Sequence, residues 1–203
     1  MEENGEKKIE RKAAAGKKHR GMGVILAALF AALTAAGCFI QIPLPGGIPI
    51  VLQDMMAMLS GMLLGPLYGT VAVFVFLVLG CIGLPVFSGK AGLHVIIGGP
   101  TGGFLVGYLL AALAAGIVIK LMLPPSKKHG RAISYIAISA AGLTATVIVF
   151  ICGIIGFRIV THCGLAKALA AVLIPFIPGN IIKLVLMVLL TKKFRPVIAE
   201  YIG

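Results

Sequence analysis

Lys183 stands inside an apolar run and follows Pro175-Phe-Ile-Pro178-Gly179-Asn180. A cation in so apolar a segment is costly unless it is paired or faces a wet cavity, so it marks a functional place. Asn180 and Lys183 are three apart and share one helical face. Pro178-Gly179 reads as a helix start, where free backbone N–H groups attract a carboxylate or carbonyl. An amide, a cation and backbone donors together suit a small polar solute with an anionic group. The six acidic residues are Glu2, Glu3, Glu6, Glu10, Asp54 and Glu200. Asp54, beside Gln53 at the start of another apolar run, is therefore the only acid between the N-terminal tail and the last few residues. It can pair with Lys183 or Lys90, or serve as a proton relay.

A second polar island lies at Gly83-Leu-Pro-Val-Phe87-Ser88-Gly89-Lys90-Ala91-Gly92, followed by Gly99-Pro-Thr-Gly-Gly103. Ser88-Gly89-Lys90 invites a phosphate-loop reading, which fails twice. Position 84 is Leu where the motif needs Gly, and Ala91 stands where Ser or Thr would bind magnesium. The segment reads instead as a Gly-rich lid whose backbone can approach a small ligand. The lone His94 reads as a loop residue. The four cysteines have no C-x-x-C spacing, so neither a zinc site nor a metal cofactor is expected.

These residues must be positioned by membrane helices. Of 203 residues, 60% are hydrophobic and only 12% are charged, against about 25% charged in soluble domains. Mean hydropathy is +1.10. An ordinary soluble enzyme, a disordered chain and a basic nucleic-acid-binding domain are excluded as classes. Apolar runs fall at about 23–40, 50–64, 67–84, 97–123, 133–157 and 168–190, separated by Pro- and Gly-rich punctuation. In hydrocarbon every backbone polar group must be paired internally, so the runs are helices. The expectation is an all-α, six-helix transmembrane bundle in one domain over 21–203. A flexible basic tail over 1–20 precedes it, and the loops between helices 1 and 2 and helices 3 and 4 are structured. Lys and Arg concentrate in the tail, at Lys127, Lys128 and Arg131, and at Lys192, Lys193 and Arg195. With six spans these three segments share one side, which places both termini in the cytoplasm and the polar islands outside.

The first helix carries small residues in two adjacent rows, Ala27/Ala31/Ala35 and Ala28/Ala32/Ala36. Such rows let another helix approach closely, either within the bundle or on a partner membrane protein. A similar row in the fourth helix (Gly99, Gly103, Gly107, Ala111, Ala115) is read as internal packing.

Four segments resemble the BioY family, the biotin-specific S components of energy-coupling factor (ECF) transporters. They are Ile48-Pro-Ile-Val-Leu-Gln53, Gly61-Met-Leu-Leu-Gly-Pro66-Leu-Tyr68-Gly69, the two glycine-rich stretches 83–89 and 99–103, and Pro178-Gly179-Asn180-Ile-Ile-Lys183. The resemblance implies an S-component-type bundle in a bacterial cell membrane that binds biotin on its outer side. It implies that the chain is a binding subunit rather than an enzyme. Its partners would be a transmembrane coupling (T) component, docked through the helix-1 alanines, and two ABC-type ATPases that use the ATP. Substrate binding would fall to Lys183, Asn180, Gly179, Gln53, Phe87, Ser88, Gly89, Lys90 and Ala91. Asn180 and Lys183 would meet the ureido group, and Lys90 or a helix N-terminus the carboxylate, with the reversed pose as the alternative. Two departures stand out. Asn180 replaces the Asp frequent in a Pro-Gly-Asp-x-x-Lys pattern. Lys90 and Ala91 stand where a second Gly and a polar residue are frequent, an Asn at the latter place being a ligand contact in some members.

Two rival readings are distinguishable. An S component for an aromatic vitamin of thiamine or riboflavin type would want stacking partners, and the chain has no Trp and only four Tyr. A proton-coupled secondary transporter using Asp54 would lose uptake with an uncoupler yet keep it without ATPases.

Overall fold

The structure, a computed structural model, describes residues 2–42, 49–124 and 130–202, with side chains from residue 19 onward. Seven α-helices make up nearly all of the described chain: α1 (Glu2–Ala36), α2 (Gln53–Cys81), α3 (Leu93–Gly98), α4 (Gly102–Met122), α5 (Arg131–Thr161), α6 (Leu165–Val172) and α7 (Ile177–Ile202). Five helical stretches are long and apolar enough to cross a membrane. One of them, α2, breaks at Gly65 (φ 78°, ψ −177°), immediately before Pro66. Pro removes a backbone donor and glycine alone takes that φ without strain, so the helix reverses there. The Ser60 hydroxyl donates to the Gly69 carbonyl at 3.1 Å, and a Cβ on Gly69 would lie 2.5 Å from the Gly61 Cα. Residues eight apart in an uninterrupted helix would be about 12 Å apart along its axis. The two limbs, 53–64 and 66–81, are therefore antiparallel neighbours, and the bundle has six passes as the apolar runs predict.

Glycine and alanine set the spacing between passes. A Cβ on Gly61 would overlap the Ala112 carbonyl, and one on Gly103 the Cys152 carbonyl. Ala111 and Ala115 are fully buried. The helix-4 row thus packs inside the bundle, except for Gly99, which lies beyond the start of α4. That boundary differs from the expected run because Pro100 ends one helix and lets another begin. The two α1 rows divide: Ala27 and Ala31 are buried and Ala35 is partly buried, whereas Ala28, Ala32 and Ala36 are exposed.

The segment expected as a tail is helical from Glu2 onward and continuous with the first span. Once a membrane helix is nucleated, extension through Ala, Lys, Glu and Arg is favourable at each step. The last span also differs from expectation. The chain makes short α6, a 3-10 turn over Ile174–Phe176 that holds Pro175, and then α7, with Pro178 in its first turn as the Pro178-Gly179 pair predicts.

At the end where α2 starts, β1 (Gln41–Ile42) pairs antiparallel with β2 (Ile50–Val51). Residues 43–48 of the loop between the first two spans lie outside the described residues, as do Lys127 and Lys128. At the opposite end His19 Nδ1 bonds the Tyr201 carbonyl at 2.9 Å, and Arg195 donates to the Leu123 carbonyl at 3.3 Å. The beginning of the first span, the end of α4 and the end of α7 therefore share one end of the bundle.

Candidate functional site

Lys183 lies on the buried face of α7 in a stripe with Met187 and Thr191. Its Nζ donates to Asp54 Oδ1 at 2.8 Å, to Asp54 Oδ2 at 2.9 Å and to the Val51 carbonyl at 2.6 Å. An ammonium has three N–H groups, so all its donors are used. Asp54 Oδ1 also accepts from the backbone N–H of Met55 at 2.7 Å, which fixes the carboxylate at the first turn of α2. There the free N–H groups favour negative charge. The lone acid and the intramembrane lysine thus solve one another's desolvation problem, and of the pairings open to Asp54 the one formed is with Lys183.

Asp54 and Gln53 form the polar floor of a largely enclosed cavity between α2, α4 and α5. Phe104, Phe150 and Phe176 make its apolar wall. Phe104 and Phe176 lie nearly parallel with ring centroids 6.5 Å apart, and Phe150 stands edge-on to both, at 6.4 and 6.2 Å. Thr101 and Tyr108 add two hydroxyl-bearing side chains on α4 and its N-terminus. The enclosed volume is about 30 Å³, far below the roughly 300–1,000 Å³ usual for ligand pockets. A small organic solute therefore enters only if lining groups separate.

The roof is the segment between α2 and α3. Phe87 and Lys90 exchange backbone hydrogen bonds of 2.9 and 3.0 Å, and Ser88 and Gly89 between them have φ of 51° and 81°. Positive φ at both central residues is the signature of a tight type I′ hairpin turn. Its anchor is Phe87, a buried ring seated on Gly80 and edge-on to Phe76 at 5.6 Å. Gln53 Nε2 donates to the Val86 carbonyl at 3.1 Å and ties the floor to the roof. Gln53→Leu leaves that carbonyl without its partner. The expected cost is about 1–3 kcal/mol of stability, read as a lower unfolding midpoint together with faster amide exchange over 83–92. Unchanged exchange there would show that the bond does not hold the roof.

The residues expected at the site divide accordingly. Gln53, Phe87 and Ser88 line the cavity. Gly89 and Lys90 are exposed on the outer side of the turn, with Ala91 half-buried behind them. Lys90 opens instead on a neighbouring groove with His94 and Thr101. Gly179 and Asn180 are half-buried at the start of α7. Asn180 Nδ2 donates to the Phe176 carbonyl at 2.8 Å, so the amide fixes the turn that carries one wall ring. Lys183 reaches the cavity through Asp54. The aromatic wall was missed because phenylalanines in apolar runs look like any core residue. Thr101 was visible within Gly99-Pro-Thr-Gly-Gly103 but carried no separate signal.

A family model described as the BioY family matches residues 10–200. The chain belongs to the BioY family. It is 38% identical over 189 residues to a biotin transporter BioY of Rhodobacter capsulatus, covering 85% of this chain and 94% of that one. It is 36% identical over 178 residues to a biotin transporter BioY of Thermotoga maritima, covering 87% and 98% respectively. Its fold matches a 2.1 Å crystal structure of the S-component for biotin from an ECF-type ABC transporter. The TM-score is 0.76 at 30% identity, over 87% of this chain and 92% of that chain. The six-pass bundle is thus the S-component fold. In this BioY chain the two departures from the family pattern have distinct settings. Asn180 is engaged with backbone, which an Asp carboxylate, lacking N–H, would not do. Lys90 sits on the exposed side of the roof turn, away from the enclosed cavity.

Proposed function

We propose that this chain is the biotin-binding subunit of an ECF-type ABC transporter, taking biotin from outside the cell. The observation that carries the reading is the cavity itself, in a member of this family: a Gln53–Asp54 floor backed by Lys183, opposite three phenylalanine rings. Biotin has a ureido ring rich in donors and acceptors, an apolar thioether ring and an aliphatic acid tail. The ureido N–H groups meet the floor, where Asp54 accepts and Lys183 holds the carboxylate in its orientation. Asn180 supports this end by holding the Phe176 turn. The thioether ring packs against the phenylalanine wall, and Lys90, on the neighbouring groove that shares Thr101 with the cavity, attracts the carboxylate. Ligand entry lifts the Phe87 roof, since the closed volume admits no such molecule. The aromatic wall reopens the case for a flat vitamin that the scarcity of Trp and Tyr argued against, and the names of the relatives favour biotin.

Both termini are placed in the cytoplasm. The end shared by His19, Arg131, Lys192, Lys193 and Arg195 is the basic one, and basic ends stay inside. The cavity then faces outward. Ala28, Ala32 and Ala36 form the exposed small-residue row on α1, a surface fit for close approach by a helix of the T component. Two ABC-type ATPases on that component would supply the energy of transport.

Calorimetry of the purified full chain with biotin, desthiobiotin and thiamine tests the ligand. Biotin is expected to bind tightly. Desthiobiotin, which keeps the ureido group, is expected to bind too, and thiamine to give no heat. A site built to hydrogen-bond one group rejects ligands that lack it. Thiamine binding in place of biotin would overturn the assignment.

A further inference from the structure

We propose that the basic end of the bundle carries a second site, for the phosphate of an anionic phospholipid. A cavity of about 310 Å³ opens there, beside the Gly65-Pro66 reversal of α2 and between the ends of α4 and α7. That volume is at the lower end of the roughly 300–1,000 Å³ usual for ligand pockets. Its two cations come from different helices, Lys120 on α4 and Arg195 on α7. Arg195 is half-buried, and one of its N–H groups donates to the Leu123 carbonyl at 3.3 Å. A guanidinium has five N–H donors in a rigid fork, so this bond anchors the group and leaves others for a phosphate. Because Leu123 lies one turn beyond Lys120, the bond also brings the guanidinium to the same end of α4 as the lysine. Neither cation has a carboxylate partner among the described residues, whose ion pair is Lys183–Asp54 at the far end.

The remaining lining is apolar, including Leu63, Leu64, Ile119 and Ile202. Cations beside an apolar wall, at the end of membrane helices, match a molecule with phosphate at one end and acyl chains at the other. Basic pockets between transmembrane helices recognise such headgroups. A free phosphate would use the cations and gain nothing from the wall. A lysine that merely extends toward the headgroup layer would show no dependence on Arg195. The site lies at the opposite end from the solute cavity, so its test does not depend on the identity of the transported ligand.

The full chain, purified in detergent, is to be supplied separately with phosphatidylglycerol, phosphatidylcholine or inorganic phosphate. Thermal unfolding and lipid retention in native mass spectrometry are the readouts. Phosphatidylglycerol is expected to raise the midpoint and remain bound, and the other two to do neither. Lys120→Gln keeps the Arg195–Leu123 bond and is expected to weaken retention about fivefold, on the order expected for one basic residue at an anionic surface. Arg195→Gln is expected to weaken it at least as much. Lys193→Gln, an exposed cation outside the cavity, should leave retention unchanged. Equal effects of the two lipids, an equal effect of inorganic phosphate, or an equal loss in Lys193→Gln would each overturn the site.

Discussion

Lys183→Ala is expected to lower stability by about 3–5 kcal/mol, the usual consequence of removing one partner from a buried ion pair. The loss comes less from the missing attraction than from what stays behind. Asp54 is left without its cation in a place where 8% of its surface is exposed, and the Val51 carbonyl loses its donor. Asp54→Ala is expected to be similarly harmful, because it strands the ammonium of Lys183. The double variant should then be no worse than either single one, since removing both charges removes the unpaired remainder. Unfolding midpoints of the three variants, measured in the same detergent, form a double-mutant cycle. Strictly additive losses would mean that the two side chains are not coupled. Ligand binding separates structure from recognition: in the double variant the fold recovers while binding of biotin stays lost, because the floor no longer has a charged acceptor. Binding that survived in the double variant would remove Asp54 and Lys183 from the site.

Gly61→Val is expected to be the second severe change. Its first side-chain atom would fall on the Ala112 carbonyl, and a backbone neighbour cannot rotate away as a side chain does. The α2–α4 contact would have to separate. Overpacking ordinarily costs about 1–3 kcal/mol and more where the backbone must move, and in a bilayer no hydrophobic drive rejoins helices held apart. The same contact organises the cavity, since α2 bears Gln53 and Asp54 while α4 bears Phe104 and Tyr108. Stability and binding are therefore expected to fall together. Gly21→Ala, where nothing lies within 4 Å of the added carbon, is the matched control. A Gly61→Val protein with an unchanged melting midpoint would show that the passes are less closely packed than the structure has them.

Several features of the site were legible from residue type alone. Lys183 and Asp54 stand out because charges are so rare in apolar runs, and Gln53, Phe87 and Ser88 lie in segments where Gly and Pro interrupt those runs. Lys90 was legible as a cation near the mouth, but residue type does not say that its side chain lies outside the enclosed space. Asn180 looked like a ligand group because it shares a helical face with Lys183. In the fold its amide instead satisfies the carbonyl of Phe176, four residues earlier. The first span also began earlier than hydropathy suggests, because hydropathy reports the lipid-facing stretch and not where hydrogen bonding stops.

What the sequence determined by itself was the membrane class, the six passes, the reversal at Gly65-Pro66 and the gathering of basic residues at one end. Hydropathy, charge and the φ restrictions of Gly and Pro are properties of a residue and its near neighbours, so they can be read without a fold. Only the tertiary structure decided that Lys183 is neutralised by Asp54, 129 positions away, that Ala28, Ala32 and Ala36 rather than their neighbours face outward, and that three phenylalanines from three segments make one wall. Each of these depends on how far helices rotate and how closely they approach. That is set by the glycine and alanine contacts of the whole bundle at once.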